Sequence, residues 1–228
     1  GKLLPEHSIP RYNRENVIAA LDRAQVIAIQ MPAHHSEVEC AADLVASLKT
    51  GKRTLVILRN LGEIDEFVQN FRKRHLILVI SKEAGFTEEP KSWEIGNKQT
   101  VEGIEERIRL SPIILTDRNF LLQSRFFELL RDPDRKYYFN IVLADGAEQL
   151  FEPLNHYMQS FAEQSIFIGD ANRVIFPLKS QEARNAGLGV STLEKLIKFD
   201  AFFESKEYAV FSEHFPHLPD QITEALRR

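Results

Sequence analysis

The place where a phosphate-binding loop should be lies near the start of the sequence. Ala24-Gln25-Val26-Ile27-Ala28-Ile29-Gln30 is an apolar run with the length of a buried strand. From Val38 onward, Ala41, Leu44, Val45 and Leu48 fall on one face of a helix. A strand, a short loop and a helix in that order frame a nucleotide site. In a working site, loop glycines let backbone N–H groups approach the phosphates. A lysine then reaches the β- and γ-phosphates, and a Ser or Thr hydroxyl holds magnesium. The loop here is Met31-Pro32-Ala33-His34-His35-Ser36-Glu37-Val38. His34, His35 and Ser36 stand where glycines are needed, Glu37 fills the lysine slot and Val38 the hydroxyl slot. The frame is present and its phosphate chemistry is not.

The elements that would position this loop recur along the chain. Short apolar, β-branched runs predict strands over residues 25–30, 53–58, 75–80, 112–116, 138–144, 164–168 and 208–211. Helical patterns fall between them, over 15–22, 36–50, 63–74, 119–130, 150–161, 192–199 and 219–228, with Gly51 closing the second. This alternation predicts an α/β fold with a mostly parallel sheet and helices on both faces. Residues 82–110 interrupt the rhythm: they are polar, hold Gly85, Pro90, Gly96 and Gly103, and carry the single tryptophan, Trp93. They read as an insertion, helical over 101–109.

Bulk properties narrow the classes. The 228 residues suffice for one large α/β domain, expected over residues 1–228. A net charge of −4 disfavours a dedicated nucleic-acid module. One cysteine, Cys40, rules out an internal disulfide framework and a multi-cysteine zinc site, and suits a reducing compartment. No apolar run approaches the roughly 18 residues of a membrane span. Gly1-Lys2-Leu3-Leu4-Pro5 is too short and polar for a secretory signal. The expected location is the nucleus or cytoplasm, with no membrane partner.

Several ordered segments carry a resemblance. They are Ile9-Pro10-Arg11-Tyr12-Asn13, Leu55 through Asp65, Asp145-Gly146-Ala147-Glu148-Gln149-Leu150-Phe151-Glu152-Pro153, Ile168-Gly169-Asp170-Ala171-Asn172-Arg173, and Glu213-His214-Phe215-Pro216-His217-Leu218-Pro219. In order and spacing they resemble the first RecA-like domain of superfamily 1 helicases of the Upf type. The resemblance implies a RecA-like P-loop NTPase fold and assigns slots. Asn13 falls where the adenine-reading glutamine belongs. The segment from Leu55 is similar to the strand and single-strand-contacting motif that follows the phosphate loop. Asp145 matches the magnesium-side aspartate and Gly146 the water-activating glutamate. Asp170 is kept, Arg173 replaces the γ-phosphate-sensing glutamine, and Pro216 replaces a later arginine.

The departures fall on the chemical positions. Exchanging lysine for Glu37 turns an attraction for phosphate into a repulsion. One charge pair at ~4 Å is worth about 4 kcal/mol at an effective dielectric of 20. A loss of that size is about a thousandfold in affinity. Loss of the carboxylate at Gly146 would remove remaining turnover. The chain also has room for one RecA-like lobe, whereas ATP in this family sits between two.

Other constellations carry plainer readings. His34 and His35 could ligate a metal, and read more simply as fillers of the vacated phosphate pocket. His214, His217 and Asp220 lack a further ligand pair at zinc spacing. Asp145, Glu148 and Asp170 could gather around magnesium, or serve as caps and turn residues. Arg72-Lys73-Arg74 could touch a nucleic-acid backbone together with Arg59 and Asn60, or offset the dipole at a helix end. Among sixteen phenylalanines, Phe199, Phe202 and Phe203 lie in a connecting segment. They would mark a partner surface if exposed, and pack beneath a loop if not.

By this resemblance the expectation is a pseudo-helicase: an inactive, helicase-like module, not an enzyme, that binds protein partners as a scaffold. By resemblance its setting is nucleic-acid processing, RNA silencing or genome maintenance. No ATP, metal or other cofactor is expected. The alternative is an ATP-independent RNA- or DNA-binding module.

Overall fold

A computed structural model of the chain describes residues 9–32, 36–49, 51–81, 101–124, 126–129, 136–150, 152–173, 180–185, 189–198 and 208–213. In chain order the first elements are α1 (Arg14–Ala20), β1 (Val26–Gln30), α2 (Glu37–Ser47), β2 (Thr54–Leu58), α3 (Leu61–Asn70), β3 (Ile77–Val79), α4 (Val101–Leu110) and β4 (Ile113–Asp117). They continue with α5 (Arg118–Gln123), α6 (Phe126–Leu129), β5 (Phe139–Ala144), α7 (Glu152–Gln159), β6 (Ala162–Gly169), α8 (Gln181–Asn185), α9 (Thr192–Lys198) and β7 (Tyr208–Ser212). All seven expected strands form, and the fold is the α/β one with a parallel sheet read from the sequence.

The chain divides into two compact units. The first comprises Gly1–Glu37, Gly146–Met158 and Gln164–Arg228, the second Val38–Asp145 and Gln159–Glu163. In the first unit the strand order is β6-β1-β7. Both pairings are parallel, with Val26 opposite Ser165 and Tyr208, and Gln30 opposite Gly169 and Ser212. Every residue of β1 is buried, because a strand flanked on both edges and both faces needs a continuous apolar run and not an alternating one. In the second unit the order is β3-β4-β2-β5, again parallel, with Leu58 opposite Asp117 and Ile57 opposite Ala144.

Several helix limits differ from those read in the sequence. The helix expected over 63–74 starts at Leu61, because Asn60 caps it by accepting a hydrogen bond from the Glu63 N–H at 3.2 Å. It stops at Asn70, because Phe71 turns extended and stacks its buried ring on Phe67, with centroids 5.7 Å apart. The helix expected over 119–130 is two, α5 and α6. Ser124 is extended between them, and its Oγ accepts from the Phe126 N–H at 3.1 Å to restart the turn. The helix expected over 36–50 ends at Ser47, and Gly51 adopts a positive φ of 92° in the turn that follows. Helix α8 carries no apolar periodicity and was not expected. Most of the expected insertion and the helix over 219–228 lie outside the described residues.

Candidate functional site

In the first unit, the residues in the phosphate and sensor slots form a charge cluster. Glu37 opens α2 and is 3% exposed; Glu148 lies in a single 3-10 turn after β5 and is 1% exposed. The Arg173 guanidinium stands between them. Its Nη1 donates to Glu148 Oε1 at 3.3 Å and lies 3.6 Å from Glu37 Oε1. An acid in the lysine slot has thus found the base in the glutamine slot. Three charges are gathered within one cluster.

Two glycines shape this cluster. Gly146 adopts the left-handed conformation, with φ 63° and ψ 36°. A side chain there would carry backbone strain of about 1–2 kcal/mol, which gives the glycine a structural reason. At Gly169, a Cβ would run into the Glu148 carboxylate and come within 2.9 Å of Leu193 Cδ2. The tight passage of β6 past Glu148 therefore needs glycine.

Asp170 follows β6. Its Oδ1 accepts from Gln30 Nε2 at 2.6 Å and from the Asn172 N–H at 3.0 Å, while Gln30 Oε1 accepts from the Ala171 N–H at 2.8 Å. This buried exchange ties the ends of β1 and β6 together. Asn13, in the adenine-reading slot, caps α1 by accepting from the N–H groups of Glu15 and Asn16 at 2.8 and 3.3 Å. Val38 is packed in the core.

The second unit holds Asp145, the aspartate that the resemblance assigns to the magnesium side. Asp145, at the end of β5, has a side chain with no exposure, and Arg59 Nε lies 3.3 Å from its Oδ2. The same nitrogen donates to Glu63 Oε1 at 2.7 Å, and the Arg59 backbone N–H donates to Glu63 Oε2 at 2.8 Å. Arg118 Nη2 donates to the Asp145 carbonyl at 2.9 Å. Burial, and then the neighbouring Asp145 carboxylate, push the Glu63 carboxyl above its ordinary value of 4.5. An acid raised on folding holds its proton longer in the native state. Its stabilising contribution is complete below the unfolded value and is lost as pH rises through the raised one. Stability in urea is therefore expected to decline as pH rises from about 4.5, and the Glu63→Gln variant to show a flatter profile over the same range.

Arg59 thus turns inward onto Asp145, and Asn60 is a helix cap. Arg72 and Lys73 are exposed beyond the end of α3, and Arg74 Nη2 donates to the Gln69 carbonyl at 3.2 Å, as a cation at a helix C-terminus does. His34, His35, His214, His217, Phe199, Phe202 and Phe203 lie outside the described residues. Among the described residues, no three His, Cys, Asp or Glu side chains are grouped to hold a metal ion, and no helix is long and apolar enough to cross a membrane. Sequence reading missed the Glu37–Arg173 pairing. Its signal was present: two slots carry side chains of opposite charge where the resemblance expects lysine and glutamine.

No protein-family model and no curated protein sequence matches the chain. Among solved structures, it is similar to the helicase domain of Hef from Pyrococcus furiosus, with 14% identity and a TM-score of 0.44 over 91% of this chain and 39% of that one. It is also similar to the SWI2/SNF2 ATPase core of Sulfolobus solfataricus in complex with dsDNA, with 14% identity and a TM-score of 0.40 over 96% and 49%. The chain spans less than half the length of either protein.

Proposed function

We propose that this chain is a catalytically inactive, helicase-like domain of the superfamily 1, Upf type, acting as a protein-interaction or scaffolding module in a nucleic-acid-processing complex. The observation that carries the reading is the placement of Arg173 between Glu37 and Glu148. A triphosphate entering there would meet two buried carboxylates with Arg173 already engaged between them. Arg59 on Asp145 supports the same reading, because a guanidinium beside the magnesium-side aspartate opposes a divalent cation.

The test is ATP hydrolysis, measured with magnesium, with and without single-stranded RNA. Phosphate release is expected at the buffer rate in both cases. Release above that rate, lost in Asp145→Asn, would refute the reading.

The exposed Arg72 and Lys73 favour a second reading, an ATP-independent nucleic-acid-binding module. It requires affinity for single strands that falls with salt and falls further when Arg72, Lys73 and Arg74 are neutralised.

A further inference from the structure

The second unit contains a groove of about 620 Å³, lined by Asn60, Leu61 and Gly62 at the start of α3 and by Asp117, Asn119, Phe120, Gln123 and Ser124 around α5. That volume falls within the range of ligand sites. Its position has a topological cause. β2 and β4 are parallel neighbours, but the connection after β2 leads to β3 on the far side of β4, and the one after β4 leads to β5 on the far side of β2. Right-handed crossovers in opposite directions place α3 and α5 on opposite faces and open a crevice at the strands' carboxyl ends.

The lining chemistry narrows the occupant. Among the described residues no lysine or arginine lines the groove, and two nearby arginines are turned away: Arg59 to Asp145 and Glu63, Arg118 to the Asp145 carbonyl. The helix starts do not supply an anion site either, because Asn60 Oδ1 and Asp117 Oδ1 already accept from the N–H groups of Glu63 and Phe120. A polyphosphate has little to bind here. The charged group in the lining is an acid, Asp117, which is 8% exposed. Its Oδ1 makes the cap at 2.9 Å, and its Oδ2 has no partner among the described residues. Around it stand the carboxamides of Asn119 and Gln123, both exposed, and the half-buried Phe120 and Leu61. Carboxamides donate and accept in the pattern that peptide groups require, and an aromatic ring beside an aliphatic side chain takes an apolar residue.

We propose that this groove binds an extended peptide segment of a partner protein. Asn119 and Gln123 pair with the peptide backbone, and a lysine or arginine of the peptide reaches Asp117. The proposal rests on the scaffolding reading and names the chemistry of the partner.

The test selects linear twelve-residue peptides from a random displayed library on the immobilised protein and measures them, fluorescently labelled, by anisotropy. Enriched peptides are expected to share one basic position flanked by uncharged residues. Asp117→Asn keeps a capping side chain and removes the charge; it is expected to weaken binding about tenfold or more while the thermal melt stays unchanged. Gly62→Leu, which fills the groove, is expected to abolish binding. Selection that yields no binder, binders lacking a common basic position, or binders indifferent to both substitutions would overturn the proposal. So would displacement of the peptide by a single-stranded uridine decamer. Failure on these counts, with ATP hydrolysis still at the buffer rate, removes the groove assignment alone. Hydrolysis above that rate removes the inactive-domain reading while leaving peptide binding measurable.

Discussion

Replacing Arg173 with alanine is expected to lower stability by about 3 kcal/mol. Removing one partner of a buried ion pair costs about 3–5 kcal/mol, because the remaining charge stays in a poor solvent. Here Arg173 bridges two carboxylates that are 3% and 1% exposed, which argues for the full cost. The Arg173 side chain is 35% exposed, which keeps the value at the low end. Against a total stability of roughly 5–15 kcal/mol, such a loss is large. Urea denaturation measures it directly. Adding Glu37→Gln and Glu148→Gln to Arg173→Ala is expected to restore most of the loss, since the unscreened charges are then gone. A loss under about 1 kcal/mol would mean that Arg173 does not serve these acids.

Arg59→Ala is expected to cost about 3–5 kcal/mol at neutral pH, by the same mechanism in the second unit. Arg59 faces two carboxylates, the fully buried Asp145 and Glu63, whose side chain is 14% exposed, and is itself only 23% exposed. The cost has a pH signature. Protonating the acids removes the charges that Arg59 balances, and Glu63 is the acid raised toward protonation. The destabilisation should therefore shrink toward pH 4 and reach its full value near pH 7, as seen by comparing denaturation curves of the two proteins across that range. A penalty independent of pH would assign Arg59 a packing role.

The sheet was legible because its strands are continuous apolar runs, such as Val26-Ile27-Ala28-Ile29 and Leu55-Val56-Ile57-Leu58, which have few other places to go. Helix ends were less legible, because side-chain events decide them: Asn60 caps one, the ring of Phe71 ends it, and Ser124 splits another. The slots of the candidate site were legible as substitutions. Their new partnerships were not, since Glu37 and Arg173 meet only once β1 and β6 lie side by side. Gly146 looked like a simple loss, whereas its left-handed backbone gives the glycine a structural reason. The groove at Asn60 and Asp117 had no sequence signal, because it arises from the directions in which two connections leave the sheet.

Isothermal titration calorimetry of the protein with magnesium ATP, carried to millimolar nucleotide, probes the proposed loss of the phosphate site most directly. With Arg173 held between Glu37 and Glu148 and Arg59 on Asp145, the titration is expected to show only heats of dilution. A saturable isotherm that disappears in Asp145→Ala would contradict the account, because it would place a nucleotide on the ground these ion pairs occupy.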